Sequence, residues 1–462
     1  MKKSKAANLD MTQGSPTKLL ILFAIPMWIG GVFQLMYNMV DTIVVGRFVS
    51  IDALAAMGAA SSTSAFIMMM GNGLTNGLSI IISQAEGAKQ GERLKRAVSH
   101  AVYLVLLGGA ALGLLSLFGA RPMMALLGAP DNIIDQSVTY IQITGGLTIA
   151  ILFANGLISI FRAIGDSKTP LYFQIFGTIL NIGLDLLFVL VLDGGVAGVA
   201  WATVLAQAVS AALCVFYLKK RHPRLVPDKA AWTFDRKMIG EYLRIGLPMC
   251  AQSAVLCVGM FVITAVINSF GSDIVAAYTV GSKVEQLATI SFSNVAFSFS
   301  VYAGQNYGAK LYRRIQEGLK KGLLLVGGLA LVSTAVMLIF AEPLALIFME
   351  EPSEYVLTAS VNFVRIEAVF YLFLGAIWTV NSALRGIGAV KITLVSSIVE
   401  LASKIGFSLL LPLFMGYIGI WLAAPVGWVL GLVPSLVYLL LWFRAPESFG
   451  VGKRQLDSGT PT

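Results

Sequence analysis

Charge is scarce in this sequence. Lys, Arg, Asp and Glu together make up 12% of 462 residues, against about 25% in soluble proteins. Histidine occurs only at positions 100 and 222, which argues against a histidine-built metal centre or a histidine-activated nucleophile. The three cysteines, Cys214, Cys250 and Cys257, lie in apolar runs and form neither a disulfide framework nor a zinc spacing. No Ser/His, HExxH or phosphate-loop arrangement occurs, so an enzyme is not expected. The first 17 residues are polar and lack an apolar core followed by a cleavage site. No signal peptide is therefore expected, and the first span is expected to serve as the insertion signal.

What the chain has in abundance is apolar sequence. It is 57% hydrophobic, and runs of 18 or more such residues recur along its length. This composition predicts an all-α polytopic membrane protein. Twelve spans can be read, at 18–46, 53–83, 96–119, 135–161, 169–192, 195–218, 242–269, 274–303, 319–341, 357–384, 391–414 and 417–443. The connections alternate in charge. One set carries nearly all the Lys and Arg, including Lys2, Lys3, Lys89, Arg93, Lys219–Arg221, Arg313, Arg314 and Arg444. The other set is acidic, with Asp52, Asp131, Asp193, Asp273, Glu342 and Glu351. Basic loops stay cytoplasmic, so both termini and the 219–240 loop are expected inside. The net charge of +9 is thereby explained by topology, and no nucleic-acid partner is expected.

The chain also repeats itself. Ala24-Ile-Pro-Met27 resembles Gly246-Leu-Pro-Met249, and Gln84…Gly87-Ala-Lys89 resembles Gln305…Gly308-Ala-Lys310. Arg162-Ala-Ile-Gly165 resembles Arg385-Gly-Ile-Gly388, and Gly198 matches Gly419. The offsets are 222, 221, 223 and 221 residues, in register throughout. Each half holds six spans, so the halves share one orientation and should be related by an axis along the membrane normal. The expected organisation is a first lobe at 1–220, a cytoplasmic linker at 221–240 and a second lobe at 241–462.

Acids inside spans are costly, at least ~2.5–3.5 kcal/mol on insertion scales, and usually face an interior or a water-filled cavity where they have a function. Gln174, Thr178, Asn181 and Asp185 are spaced to fall on one helical stripe. Span 1 carries Gln34, Asn38 and Asp41, with Tyr37 beside them; span 2 carries Asn72, Asn76, Ser79 and Ser83; span 6 carries Thr203, Gln207 and Ser210. Counting from the span ends puts Asp41, Asp185 and Thr203 in the outer part of the first half. Four stripes in one half predict a polar pocket enclosed by that half. Two acids sharing such a pocket repel each other, which suits the site to take up and release a proton or to hold Na+; Asn181 and Thr203 would add oxygens for a hard cation. Ser, Thr and Asn in membrane helices also serve as interhelical hydrogen-bonding groups, so that alternative stays open for each of them. At the repeat offset Asp41 maps near Ile263 and Asp185 near Ser408, so the scaffold is duplicated and this acid pair is not. In the second half, Glu400 and Lys404 are spaced as an intrahelical pair. Glu285 either attracts a cationic substrate or pairs with Lys283, Arg365 or Lys404. Met68 in the Met68-Met69-Met70 run, with Met27 and Met36, would suit an adaptable apolar cavity or plain packing. Pro26 and Pro248 are candidate bend points.

These residues together resemble the multidrug and toxic compound extrusion (MATE) family. The resemblance rests on Tyr37-Asn38-Met39-Val40-Asp41-Thr42, the two Gln…Gly-Ala-Lys loops, Arg385-Gly-Ile-Gly388, Asn181…Asp185 and Gly195-Val-Ala-Gly198-Val-Ala-Trp-Ala-Thr203, in order over about residues 15 to 440. The stretch Ala276-Ala-Tyr278 to Gly281-Ser-Lys-Val-Glu285 looks most like its DinF-like and MepA-like branch. The resemblance implies two six-helix lobes in a V, alternating access, and cation-coupled (H+ or Na+) antiport of organic, mostly cationic, amphipathic drugs. It implies a coupling site similar to Asp41, Asn181, Asp185 and Thr203, which would be the metal ligands if the ion is Na+. No cofactor is expected. The expected setting is a monomer in the lipid bilayer of a bacterial or archaeal cytoplasmic membrane. The eukaryotic-like branch has an acid in its seventh helix; residues 242–269 contain none. A lipid-linked saccharide flippase of related fold would need a basic cleft, and away from the span ends only Lys283, Arg365 and Lys404 are available. A facilitator of the major facilitator type would need a Gly-x-x-x-Asp-Arg-x-Gly loop after span 2, which is missing.

Overall fold

The computed structural model describes residues 8–126, 130–349 and 353–444. Its first half runs α1 (Pro16–Phe48), α2 (Ile51–Gly87), α3 (Gly91–Leu126), α4 (Asp131–Gly146), α5 (Thr148–Ala163), α6 (Lys168–Leu186) and α7 (Gly195–Arg221). The second runs α8 (Arg236–Asn268), α9 (Ser272–Gly308), α10 (Tyr312–Leu346), α11 (Glu354–Val369), α12 (Tyr371–Gly386), α13 (Val390–Leu410), the short α14 (Pro412–Met415) and α15 (Tyr417–Arg444). The repeat read in the sequence is a repeat of helix lengths. α1 and α8 have 33 residues each, α2 and α9 have 37, and α4, α5, α11 and α12 have 16.

Among the described residues nine helices are long and apolar enough to cross a membrane, and the bent pairs α4–α5 and α11–α12 bring the number to eleven. The twelfth is α9. Its 37 residues span about 55 Å at ~1.5 Å per residue, and Lys283, Glu285 and several serines make it less apolar than the rest.

The fourth and tenth spans depart from the sequence expectation. Each was expected as one continuous helix, over 135–161 and 357–384; each is bent instead, by 46° and 53°. The breaks fall at Leu147 and Phe370, 223 residues apart. At the first, Gly145 and Gly146 let α3 approach closely. A Cβ on Gly145 would lie 2.5 Å from the Ser116 side chain, and one on Gly146 would lie 2.7 Å from Leu117. Two adjacent glycines also weaken the helix by ~1 kcal/mol each. At the second break no glycine or proline intervenes. The Thr334 hydroxyl of α10 donates to the Ala368 carbonyl at 2.6 Å, and the next amide, Phe370, bonds three residues back to Glu367. A side chain inserted into the helical ladder produces the kink.

The repeated loop motifs are helix stops. After α2, Lys89 has φ 55°; its amide bonds Glu86 O and that of Gln90 bonds Ala85 O. That is the paired bonding of a Schellman turn. Lys310 repeats it after α9, Gly165 after α5 and Gly388 after α12. Pro26 and Pro248 lie inside α1 and α8 and end neither helix.

The chain divides into two compact units, Met1–Asp10 with Pro26–Ala251, and Met11–Ile25 with Gln252–Thr462. In the first, α2 packs on α3, α4 and α5, while α7 packs on α4, α5 and α6. The polar segment after α7 folds onto α3, through Ser99 Oγ to Ala231 O (2.6 Å) and the Asp235 amide to His100 Nε2 (3.0 Å). His222, the other histidine, lies 3.8 Å from Asp166. In the second unit, α9 packs on α10, α11 and α12, and α13 pairs with α15. Its core is rich in aromatics, with Phe292, Tyr371 and Trp421 buried together.

Candidate functional site

The first unit's polar stripes converge around the C-terminal end of α6. The start of the helix is held by Asp166, two residues before Lys168; the Asp166 carboxylate accepts from the amides of Lys168 (3.1 Å) and Thr169 (3.0 Å) and from the Thr169 hydroxyl (2.7 Å). From that fixed start Thr178, Asn181 and Asp185 fall on the buried face, and Ile179 and Leu186 on the exposed one. Just after Asp185 the ladder widens into a π-helical turn, Leu187–Val191, a local underwinding often found at functional sites. The chain then reverses through Asp193 (φ 50°) and Gly195 (φ 52°). A Cβ on Gly198 would lie 3.1 Å from the Phe188 Cβ. The absence of side chains here lets α7 abut the end of α6 and sets Thr203 opposite α1.

Asp185 and Asn181 are fully buried and Asp41 is 7% exposed. The two carboxyl groups are in hydrogen-bonding contact. With its nitrogen turned inward, the Asn181 amide donates to both, at 3.0 Å to Asp41 Oδ1 and 3.1 Å to Asp185 Oδ2. Tyr37 donates to Thr203 Oγ1 at 3.1 Å and its hydroxyl also reaches Asp41, so Thr203 joins the acids through Tyr37. Asp185 Oδ1 is buried with no hydrogen-bond partner. None of the ion pairs among the described residues involves either acid. A valine cluster follows the acids along both helices, with Val44, Val45, Val189, Val196 and Val199 packed against Val40 and Tyr140.

Two cavities of the first unit adjoin the group through Tyr37, and one also through Thr203; neither carboxyl group is among their lining residues. One, of about 500 Å³, is lined by Gln34, Tyr37, Met68, Asn72, Thr203 and Gln207 together with Tyr140, Thr144 and Asn155. The other, of about 120 Å³, shares Gln34, Tyr37, Asn72, Asn155 and Gln207 and adds Asn76, Gln174, Thr178, Ser210 and Arg162. Gln174 donates to Gln34 at 3.2 Å. The Asn38 side chain lies outside the described ones. Ser79 and Ser83 donate to carbonyls three residues back in their own helix, and Ser210 donates to Phe173 O of α6, so these three serve the backbone. Tyr140, Asn155 and Arg162 escaped the sequence reading. The stripe Thr144, Thr148, Asn155, Ser159, Arg162 was available, and the undetected bend at Leu147 lies within it.

A family model described as MatE matches residues 26–187 and 248–410, once in each half. The chain belongs to the MatE family. Among curated proteins it is 28% identical over 420 residues to the probable multidrug resistance protein YpnP of Bacillus subtilis, covering 89% of this chain and 92% of that protein. It is 23% identical over 273 residues to the multidrug export protein MepA of Staphylococcus aureus, covering 58% and 60%, in line with the branch read from the sequence. Among solved structures, a MOP-superfamily transporter from Pyrococcus furiosus aligns with a TM-score of 0.87 at 24% identity, covering 97% of this chain and 99% of that one. The MatE fold is therefore shared over nearly the full length.

The remaining sequence candidate of this MatE chain, Glu285, stands apart from the rest in the second unit. Of the partners offered by sequence, Lys283 and Arg365 are exposed, and Lys404 instead pairs with Glu400 at 2.7 Å. Glu285 contacts Glu367 of α11. The second half thus has a carboxyl pair of its own, at positions unrelated by the repeat to Asp41 and Asp185. Of the methionines singled out, Met68 lines the larger cavity of the first unit, Met27 is buried and Met36 is exposed.

Proposed function

We propose that this MatE-family chain is a secondary exporter that moves organic, mainly cationic, amphipathic compounds out of the cell by alternating access, in exchange for an inward-moving proton or Na+. One observation carries the reading: Asp41 and Asp185 touch each other, are bridged by Asn181, and have no basic ion-pair partner among the described residues. Burying two acids this way costs several kcal/mol (~2.5–3.5 each on insertion scales), and a small cation that comes and goes offsets that cost. Thr203 and Tyr37 hold the pair's geometry, and the cavity from Gln34 to Gln207 gives water and substrate a path to it. The names of the relatives, multidrug resistance and multidrug export proteins, support the substrate class.

Carboxyl–carboxyl contact favours a proton, because two touching carboxyls are held together by one. Asn181 supports the second reading. Rotated, its amide would present oxygen beside two carboxylates, a set suited to Na+. We place both termini and the 221–240 segment in the cytoplasm, with lobes at 1–220 and 241–462, and take the monomer in the bilayer as the working unit. The test is efflux of a fluorescent organic cation from proteoliposomes, with proton and sodium gradients imposed separately. The proposal expects efflux under at least one gradient and none when both are collapsed. Efflux indifferent to both gradients refutes it.

A further inference from the structure

The second unit contains a cavity of about 370 Å³ whose lining includes Glu285, Glu367, Glu400, Lys404, Trp421 and Trp428. Its volume falls within the ~300–1,000 Å³ of small-molecule pockets. Three carboxyl groups face one ammonium. That ammonium, Lys404 Nζ, lies 2.7 Å from Glu400 Oε1 and 5.8 Å from the centre of the Trp428 ring. At one end, therefore, the cavity already holds a protonated amine between a carboxylate and an aromatic face.

Glu367 and Trp421 bring a second carboxyl group and aromatic face to the same cavity, and no ion pair among the described residues involves Glu367. Glu367 is 3% exposed and Trp421 is 1% exposed. Glu367 Oε2 and the Trp421 indole N–H are both buried with no hydrogen-bond partner among the described residues. Leaving a buried polar group unsatisfied costs ~1–3 kcal/mol, more when it is charged. Tyr278 stacks on Trp421 at 6.0 Å and Phe363 meets its edge at 5.1 Å, so the indole is fixed in place. Glu285 reinforces the negative end through its contact with Glu367.

Resting on the exporter reading, we propose that this cavity is a substrate subsite for aromatic amines protonated on nitrogen, in which an N–H of the ligand donates to Glu367 and Lys404 acts as a tethered competitor for the same carboxyl groups. The unsatisfied atom is an acceptor, so a ligand ammonium with an N–H satisfies it and a quaternary ammonium does not. The site thereby discriminates between two kinds of organic cation that carry equal charge. Trp421 offers a donor to an acceptor atom elsewhere on the same ligand.

The test is calorimetric titration of the purified full chain in lipid nanodiscs with 1-naphthylmethylammonium and with its N,N,N-trimethyl analogue. The wild type is expected to bind the primary amine at least tenfold more tightly. Glu367→Gln is expected to weaken the primary amine at least tenfold and to bring the two ligands within about twofold. Lys404→Gln, which removes the competitor, is expected to raise affinity severalfold, a gain that misfolding cannot mimic. Equal affinities in the wild type, no binding, or an unchanged preference in Glu367→Gln overturns the proposal. Parallel efflux assays separate it from the exporter reading: binding with N–H preference but no gradient-driven efflux sinks the exporter and leaves the site, whereas efflux with no N–H preference does the reverse.

Discussion

Replacing Asp185 by Asn is the sharpest perturbation of the acid pair. It keeps the side chain's shape and its place against Asn181 and Asp41, and removes one of two charges facing the same point. A monovalent cation about 4 Å from a carboxylate gains ~4 kcal/mol at an effective dielectric constant near 20. At ~1.4 kcal/mol per tenfold, losing that carboxylate weakens cation binding by about a thousandfold. Stability should move the other way or not at all, because an acid with an unpartnered buried oxygen is exchanged for a neutral amide. The assay is gradient-driven efflux in proteoliposomes alongside thermal unfolding of the same preparation. The expected result is efflux at background with a melting temperature equal to or above wild type. Asp41→Asn should behave alike, and the double variant should lose no more than either. Efflux near wild type from folded Asp185→Asn protein refutes the reasoning, since the pair would then be structural.

Tyr37→Phe removes the hydroxyl that links Thr203 to the acids (3.1 Å) and should slow efflux severalfold, about 1 kcal/mol; adding Thr203→Val should cost little more, which a double-mutant cycle of initial rates reads. Gly198→Val forces side-chain atoms into Phe188 and should destabilise the fold by ~1–3 kcal/mol as overpacking does, measured by thermal unfolding, with efflux lost although no polar group is touched. Thr334→Val frees the Ala368 carbonyl and should lower stability by about 1 kcal/mol. His222, directly after the C-terminal end of α7, is held below its ordinary pKa by burial, opposed in part by Asp166. Its folded value lies under its unfolded value of about 6.5, so its contribution is present above that pH and is lost as pH falls through the folded value; the melting temperature should drop on acidification from about pH 6.5, and His222→Gln should flatten that slope.

The sequence made the backbone plan legible because membrane spans are a one-dimensional signal. The repeat was legible too, since Lys89 and Lys310, or Gly165 and Gly388, mark helix stops that demand the same residues twice. The bends at Leu147 and Phe370 were not. The first depends on α3 approaching Gly145 as well as on the local weakness of Gly145-Gly146, and the second on Thr334 of another helix; the packing contacts are not local signals. The same limit governed the sites. Asp185 was visible because Thr178 and Asn181 share its stripe on one helix. The partner of Glu285 was not, because neighbour rules along α9 and α13 point to Lys283 or Lys404, whereas Glu367 arrives from α11 through the packing of three helices.

The matched helix stops and bends in the two halves have a consequence for how such a protein can change. Both copies keep the same punctuation, yet the acids are written into different helices: α1 and α6 in one copy, α9 and α11 in the other. Selection can therefore rework the ionisable groups of one half without disturbing the turns that shape it, and without touching those of its twin.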